Sequence, residues 1–213
     1  MKVLVVGANG QIGKHVINKL KESNHFTPRA MVRKQEQVDY FNDLGVDTVL
    51  ASLTGTVDEI AEAAKGCEAI VFTAGSGGHT GYDQTLLIDL DGAGKTIEAA
   101  QKSGVDRFIM VSAIPADKRE SWTAIQPYMV AKHYADKMLV ASGLNYTILR
   151  PGGLLNEEPT GKISIGSHID RSTIPREDVA STILAVLENN NTINQSFDLV
   201  SGETPINDAI AKI

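Results

Sequence analysis

The chain has 213 residues, of which 42% are hydrophobic and 22% charged, so it can fold as one domain with a full core, and disorder is not expected. Its net charge of −6 argues against nucleic acid as the main partner. The single cysteine, Cys67, excludes an intrachain disulfide. Because the chain has neither a leader-like start nor an 18-residue apolar run, we expect a cytoplasmic protein that binds no membrane.

Apolar runs rich in β-branched residues alternate along the chain with segments of helical period. Strands are predicted at Lys2–Val6 and at residues 29–32, 46–50, 68–73, 107–112, 146–149 and 196–200. Helices are predicted at residues 10–23, 35–44, 56–65, 83–103, 126–142 and 176–188. Since these runs are apolar on both faces, the pattern predicts an α/β protein with a doubly wound parallel sheet, the Rossmann fold.

The domain organisation follows from where this alternation stops. Residues 1–213 are predicted to form a single domain, because no linker rich in Pro, Gly or Ser divides the chain. After about residue 151 the pattern is less regular, and roughly sixty residues remain, which is too few for a typical independent domain. We expect residues 151–213 to contribute a small C-terminal lobe on the substrate side.

Three glycines, Gly7, Gly10 and Gly13, lie between the first strand and the first helix. The first allows a tight exit from the strand, the second lets the backbone approach a pyrophosphate, and the third lets the helix pack closely on the sheet. The helix start adds free N–H groups and a positive dipole end. A turn without a ligand is the alternative, but the strand before and the helix after favour a dinucleotide. The expected contacts are Gly7, Asn9, Gly10, Gln11, Ile12 and Gly13.

The second strand is followed by Arg33 and Lys34, with no acidic residue before Glu36. An acid in this place would accept hydrogen bonds from the 2′-hydroxyl of NAD, whereas an arginine can bind the 2′-phosphate of NADP. The two cations therefore predict NADP as the cofactor and leave NAD as the less favoured alternative. Elsewhere, a solvated Arg–Lys pair would be the usual interpretation of the same residues.

Together with motifs further along the chain, this turn resembles the short-chain dehydrogenase/reductase superfamily, in its extended and atypical branches (NmrA-like and epimerase-like NAD(P)-binding proteins). The matching segments span about residues 1–155 and are, in chain order, the GxxGxxG turn, Thr73-Ala74-Gly75, Ser112, the Tyr-x-x-x-Lys of Tyr128 and Lys132, and Pro151-Gly152. The resemblance implies that residues 73–75 line the adenine side of the cofactor. It also implies that Ser112 belongs to the active site and that Pro151 and Gly152 run past the nicotinamide.

The chain also departs from this family pattern. After the third strand, where many relatives carry an aspartate that holds the adenine, it has Ser52 and Leu53. The active-site asparagine of the main branch has no clear counterpart in residues 86–91, and Ser112 and Tyr128 are spaced slightly wider than in that branch. We therefore expect adenine binding and proton relay to differ in detail, with Ser52 and Leu53 as the adenine contacts.

Tyr128 and Lys132 are four residues apart and share one face of their predicted helix. A nearby ammonium stabilises a phenolate, so Tyr128 can exchange a proton with a carbonyl or alcohol oxygen while hydride moves to or from the nicotinamide. The resemblance implies that Ser112 hydrogen-bonds the same oxygen and that Lys132 also holds the nicotinamide ribose. Asp89 and Asp91 are expected to be solvated or to cap their helix, and no cluster of His, Asp or Glu suggests a metal site.

The sequence therefore predicts an NADP(H)-dependent oxidoreductase acting on a small carbonyl, a quinone or a similar acceptor, as a monomer or homodimer. In one alternative the chain senses NADP(H) and regulates partners without catalysis, although such relatives usually lack the Tyr–Lys pair. In another it reduces a flavin or tetrapyrrole by direct hydride transfer, without a tyrosine acid. A nucleotide-sugar epimerase is less favoured because the C-terminal portion is small.

Overall fold

Strands and helices alternate through the first part of the chain. The structure is a computed structural model that describes residues 1–122 and 124–213. The first elements are β1 (Lys2–Val6), α1 (Gln11–Glu22), β2 (Thr27–Val32), α2 (Gln35–Asp43), β3 (Asp47–Leu50), α3 (Val57–Ala64) and β4 (Ala69–Phe72). A single turn, α4 (Tyr82–Gln84), continues through a π-helical segment (Thr85–Asp91) into α5 (Gly92–Ser103). After these come β5 (Arg107–Val111), a 3-10 turn (Arg119–Ser121), α6 (Gln126–Ala141) and β6 (Asn145–Pro151).

The chain after β6 consists mostly of shorter elements. They are β7 (Gly153–Leu155), β8 (Lys162–Gly166), β9 (Thr173–Pro175), α7 (Arg176–Glu188), a 3-10 turn (Asn190–Thr192), β10 (Gln195–Ser201), β11 (Thr204–Pro205) and α8 (Ile206–Ala211). Periodicity predicts only α7 and β10 in this part. The four other strands have two to five residues, which is too short for an alternating pattern to be recognised.

Local signals explain why two of the helices begin and end where they do. Thr56 opens α3 with a capping box: its hydroxyl accepts the Glu59 N–H (3.2 Å), and its own N–H donates to the Glu59 carboxylate (2.8 Å). Gly104 ends α5 in the left-handed conformation, with φ of 73°. The sequence predicts both features. It does not predict the π-helical segment before α5. A single wider turn changes the spacing of apolar residues so little that the pattern still reads as an α-helix.

The central sheet has nine strands in the order β11-β8-β10-β6-β5-β4-β1-β2-β3. The strands from β10 to β3 in this order pair in parallel, whereas β8 is antiparallel to both β10 and β11. The chain leaves β1 towards β2 and β3, and later returns to β4 on the other side of β1. The carboxyl ends of β1 and β4 therefore form a topological switch point, the usual ligand crevice of such sheets. The predicted doubly wound Rossmann fold is confirmed.

Both faces of the sheet are covered, because successive residues of each strand point to opposite sides. In β1, Val3 and Val5 join one apolar cluster, which also includes α1 and α7, while Leu4 and Val6 join a second one, which includes α3, α5 and α6. This is the physical reason why the strands read as continuous apolar runs. No helix in the described ranges combines the length and the apolar character needed to cross a membrane.

Much of the chain after β6 completes the main sheet and its covering layer. β10 pairs with β6, and α7 packs against α1, where Lys19 and Glu177 form an ion pair of 2.9 Å. A separate two-stranded sheet of β7 and β9 lies beside them, at the position where the sequence predicts a small lobe. Residues 152–172 thus contain two short strands, β7 and β8, joined by loops that follow the carboxyl end of β6.

Candidate active site

The glycine turn leaves β1 in a conformation that suits glycine alone. Gly7 has φ of 86°, and a Cβ on Gly7 would lie 2.6 Å from the backbone nitrogen of Ala74. The Gly10 N–H donates to the Gly7 carbonyl (2.9 Å) and closes the turn. The turn therefore lies directly against the segment that follows β4, at the switch point of the sheet.

Helix α1 starts close to this turn with free backbone donors. A Cβ on Gly13 would collide with the Gly7 carbonyl oxygen, so glycine is required for this close approach. No side chain of the described residues caps α1, and its first turn contains no acid. Free N–H groups and a positive helix end suit a pyrophosphate. The structure brings together the whole predicted set, namely Gly7, Asn9, Gly10, Gln11, Ile12 and Gly13.

The residues predicted to bind the adenosine half follow β2 and β3, which are neighbours. The Ala51 N–H after β3 donates to the carbonyl of Val32 at the end of β2 (2.9 Å). The Lys34 ammonium pairs with Glu36 (3.2 Å). For the exposed Arg33 guanidinium, the described residues provide neither an ion pair nor a hydrogen bond. Of the two cations, Arg33 is therefore the one available to an external phosphate.

Ser52 and Leu53 lie next to this edge but differ in what they present to it. The Ser52 hydroxyl shares a hydrogen bond with the Thr54 hydroxyl (2.9 Å). The Leu53 side chain is buried against Gly92, where an added Cβ would lie 3.1 Å from Leu53 Cβ. Ser52 can thus offer a hydroxyl to a ligand, whereas the Leu53 side chain belongs mainly to the core.

The segment Thr73-Ala74-Gly75 is tied to the glycine turn from the side of β4. The Thr73 N–H and hydroxyl both donate to the Val6 carbonyl, at 2.9 and 3.1 Å. Gly75 lies against a buried carboxylate, since a Cβ there would be 3.2 Å from Asp89 Oδ1. The predicted contacts after β4 therefore border the same crevice as the turn.

Pro151 and Gly152 lie at the carboxyl end of β6, between the ends of β5 and β10. The Pro151 carbonyl accepts the Ile114 N–H (3.0 Å), and the Gly152 N–H donates to the Leu199 carbonyl (2.9 Å). A Cβ on Gly152 would collide with the Ser172 carbonyl oxygen. The backbone here is thus enclosed by the loop before β9, on the side of the crevice where α6 begins.

Tyr128 and Lys132 stand together on α6, as their spacing predicts. The Lys132 ammonium lies 5.7 Å from the centre of the Tyr128 ring. Lys132 is only 4% exposed; its ammonium donates to the Val111 carbonyl (3.1 Å) and lies 3.6 Å from Asp89 Oδ1. Tyr128 is half-buried, and among the described residues no group hydrogen-bonds its hydroxyl, which leaves the hydroxyl available for a proton transfer.

The charges around Lys132 keep it in the ammonium form. Burial lowers the pKa of Lys132, but the neighbouring Tyr128 and the carboxylates of Asp89 and Asp136 together raise the pKa above its ordinary value. A buried ammonium beside a phenol can stabilise the phenolate, which is the state that an acid–base tyrosine must reach.

Ser112 follows β5 as predicted, but its hydroxyl is enclosed. The residue is 3% exposed, and its Oγ has no hydrogen-bond partner in the described part of the chain. Its N–H donates to the Leu149 carbonyl (2.7 Å). The Ser112 hydroxyl is among the groups that lower the pKa of Asp136, although the two do not meet hydrogen-bond geometry. Ser112 therefore faces the buried charges behind Lys132.

The prediction that Asp89 is solvated or caps a helix is wrong, whereas Asp91 is on the surface as expected, paired with Lys95 at 2.8 Å. Asp89 has no exposed surface; its Oδ2 accepts the Ser76 N–H (3.0 Å), and its Oδ1 faces Lys132. Asp89 comes from the stretch in which no counterpart of an active-site asparagine was expected. The π-helical turn places Thr85 and Asp89 on the buried face, and an acid within an otherwise apolar run was the available signal.

Comparisons with known proteins show the family to which this chain is related. A family model described as NAD(P)H-binding matches residues 7–190. Among curated relatives, a Bacillus subtilis protein described as an uncharacterized sugar epimerase, YhfK, is 56% identical over 100% of both chains. Among solved structures, a putative NAD-dependent epimerase/dehydratase from Bacillus halodurans is 41% identical over 100% of both chains, with a TM-score of 0.94. The oxidoreductase ylbE from Lactococcus lactis is 34% identical over 100% of this chain and 96% of its own, with a TM-score of 0.92.

Proposed function

The chain belongs to the NAD(P)H-binding family, and from that premise we propose that it is an NADP(H)-dependent oxidoreductase in which Tyr128 is the acid–base residue. Its substrate is a small carbonyl, a quinone or a similar acceptor. The observation that carries the proposal is the contact between Tyr128 and a buried, charged Lys132, on the helix that begins at the cofactor crevice.

The residues present fit a dinucleotide. Without Cβ atoms, Gly7 and Gly13 let the turn pack directly against the backbone of Ala74 and against the start of α1, whose first N–H groups would hold the pyrophosphate. We propose NADP over NAD because no acid follows β2 and the Arg33 guanidinium can form charge-assisted hydrogen bonds with a 2′-phosphate. Ser52 would contact the adenosine half, and Lys132 would also reach the nicotinamide ribose.

The proposed mechanism pairs hydride transfer with a proton from Tyr128. When bound, the nicotinamide would supply the hydride for reduction and take it up in oxidation. In reduction, Tyr128 donates its phenolic proton to the substrate oxygen as the carbonyl carbon gains the hydride, so a carbonyl becomes an alcohol. Lys132 stabilises the resulting phenolate, which then regains a proton from solvent. Ser112 would act as a second donor to the same oxygen if ligand binding exposes its hydroxyl.

Names of similar proteins agree with this proposal at different levels of detail. The structural relative called an oxidoreductase has the same overall class of activity as proposed here. The relatives described as epimerases or dehydratases would also require a cofactor and an acid–base residue. We place this chain with the oxidoreductases because its portion after β6 is small and largely completes the main sheet. That arrangement leaves little room for a subsite that would hold a sugar nucleotide next to the cofactor.

The Tyr128→Phe variant tests the proposal. It removes the proton donor while keeping the ring that packs beside Lys132, so turnover of the substrate should fall by about 100-fold or more while NADPH affinity stays within about twofold. The measurement is NADPH oxidation across a panel of carbonyls, quinones and flavins, together with NADPH titration. Tyr134→Phe is the matched control: Tyr134 lies on the same helix, and its hydroxyl accepts a hydrogen bond from Arg119 at the surface.

Other outcomes of this experiment point to the alternatives. Unchanged turnover in Tyr128→Phe would mean direct hydride transfer without a tyrosine acid, as in reduction of a flavin or tetrapyrrole. If the unaltered protein binds NADPH tightly but oxidises it with no acceptor of the panel, the enzyme proposal fails in favour of NADP(H) sensing.

A further inference from the structure

A pair of buried charges lies near Lys132, and the proposed proton transfer from Tyr128 does not use it. Asp136 on α6 is 4% exposed, and Arg150 near the end of β6 is 9% exposed. The Arg150 Nε donates to Asp136 Oδ2 at 2.9 Å. On its other side, Arg150 Nη1 lies 3.4 Å from Asp117 Oδ2 in the loop between β5 and α6. Arg150 thus joins a strand, a helix and the loop that leads to Tyr128.

The spacing along α6 links this pair to the proposed active site. Tyr128, Lys132 and Asp136 follow one another at intervals of four residues, so they share one helical face. Asp136 is one turn beyond Lys132 and is among the negative charges that raise the Lys132 pKa. The groups that act on the Lys132 ammonium are therefore Tyr128 and Asp136 from α6, Asp89 from the π-helical segment and the Val111 carbonyl from β5.

A purely structural explanation accounts poorly for this arrangement. Burying an ion pair costs desolvation that the attraction often fails to recover, and apolar residues would stabilise the fold as well. In addition, both Asp136 Oδ1 and Ser112 Oγ are buried without a hydrogen-bond partner in the described ranges. Burial raises the pKa of Asp136, against the lowering effects of Arg150, Ser112 and Lys132. Burying these two polar atoms without a hydrogen-bond partner adds to the desolvation cost of the pair.

We propose that Asp136, held in place by Arg150, is a positioning residue whose negative charge acts on the Lys132 ammonium one helical turn away and sets the pH range in which Tyr128 exchanges its proton. Asp136 does not touch the substrate or the cofactor; it acts through Lys132. The inference rests on the proposed function, because it concerns the electric field that Asp136 produces at the same tyrosine–lysine pair.

The sign of the effect follows from the charge. Asp136→Asn has the same shape and keeps an oxygen that accepts from Arg150, but it removes one negative charge. Neighbouring groups then lose their protons more easily, so proton loss from the Tyr128–Lys132 pair moves to lower pH. We expect the alkaline limb of the kcat–pH profile for reduction to move down by about half a unit to one unit, with little change in NADPH affinity.

The experiment compares the unaltered protein with Asp136→Asn, and with Arg107→Met as the matched control. Arg107 is also a buried arginine of the sheet, but it lies at the opposite end of β5, where it donates to the carbonyls of Asn145 and Val186. The control should lower stability without moving the pH profile. A second readout needs no turnover: the ultraviolet titration of the Tyr128 phenolate in the NADP complex, with the Tyr128→Phe signal subtracted.

Asp117→Asn keeps the test decisive if Asp136→Asn does not fold. Its side chain is 30% exposed, so this variant is expected to fold, and it leaves Arg150 to neutralise Asp136 more completely. The alkaline limb of the kcat–pH profile of Asp117→Asn should move in the same direction as that of Asp136→Asn, by a smaller amount. Titration curves that stay in place in every variant that folds would overturn the inference. If the unaltered protein has no turnover but the phenolate titration moves as described, the positioning role stands and only the proposed activity fails.

Discussion

Arg33 shows at the level of one residue how the surroundings decide which of two similar charges is available. Arg33 and Lys34 are adjacent and both follow β2, but within residues 1–122 and 124–213 only Lys34 of the two has a carboxylate partner, Glu36, at 3.2 Å. The Arg33 N–H donates to the Gln37 side chain (3.1 Å), which fixes the backbone and leaves the guanidinium free. A planar guanidinium can bind phosphate oxygens through two parallel hydrogen bonds, which an ammonium cannot do.

We therefore expect Arg33→Ala to weaken NADPH binding selectively. Hydrogen bonds to a charged group are worth about 1.5–3 kcal/mol, so the NADPH dissociation constant should rise by roughly 10- to 150-fold while that for NADH stays nearly constant. Calorimetric titration with each cofactor measures both values. Lys34→Ala is the control and should have a smaller effect, because Glu36 already neutralises that charge. Equal loss of affinity for both cofactors would contradict the NADP assignment.

The elements contribute by bringing charges together from distant parts of the chain. Helix α6 aligns Tyr128, Lys132 and Asp136, and the π-helical segment, which packs against α6, adds Asp89. On the other face of the sheet, α1 and α7 meet at a second set of charges. Glu177 in the first turn of α7 contacts Lys19 in the last turn of α1 (2.9 Å) and lies 3.6 Å from His15. The hydrogen bond from Lys19 is the main cause of a lowered Glu177 pKa.

A depressed carboxyl pKa stabilises the fold at pH values above the pKa of the unfolded chain, and this contribution disappears as the pH falls through the folded value. Glu177→Gln should therefore lower the free energy of unfolding at pH 7, by under about 1 kcal/mol because both side chains are partly exposed. The difference from the unaltered protein should shrink as the pH falls through the lowered pKa of Glu177. Urea denaturation at a series of pH values measures it, and a difference that stays constant into strong acid would exclude the ion pair as its source.

At the scale of the whole molecule, stability comes from two apolar layers on one sheet. Along each strand of the parallel region, side chains point alternately into the two layers. A central residue therefore packs into one of the layers. Ile109 in β5 has no exposed surface and packs towards the layer of α1 and α7, while its neighbours Phe108 and Met110 pack towards the layer of α5 and α6. The edge strand β3 ends instead at Leu50, which is 58% exposed.

Ile109→Ala should accordingly lower the free energy of unfolding by about 2–5 kcal/mol, since it leaves a cavity between close-packed strands and helices. Leu50→Ala should change it by no more than about 0.5 kcal/mol. Chemical denaturation of both variants gives the comparison. A cost for Ile109→Ala as small as that for Leu50→Ala would mean that the core relaxes to fill the cavity.

A structural feature can be predicted from the sequence when the interactions that produce it join residues close together in the chain. The strand–turn–helix around Gly7, the capping box of Thr56 and the spacing of Tyr128 and Lys132 depend on neighbours within a few residues, so the sequence predicts them. The short strands β7, β8, β9 and β11 depend on partners far along the chain, and their own two to five residues show no period.

The amino-acid sequence by itself determined the doubly wound sheet, the cofactor turn and the candidate tyrosine and lysine, because apolar period, glycine geometry and i,i+4 spacing are local properties. Only the tertiary structure decided which charges meet. It buried Asp89 beside Lys132 and Asp136 beside Arg150, and it enclosed Ser112. Burial and charge pairing depend on residues brought from separate elements, and a one-dimensional pattern does not contain those distances.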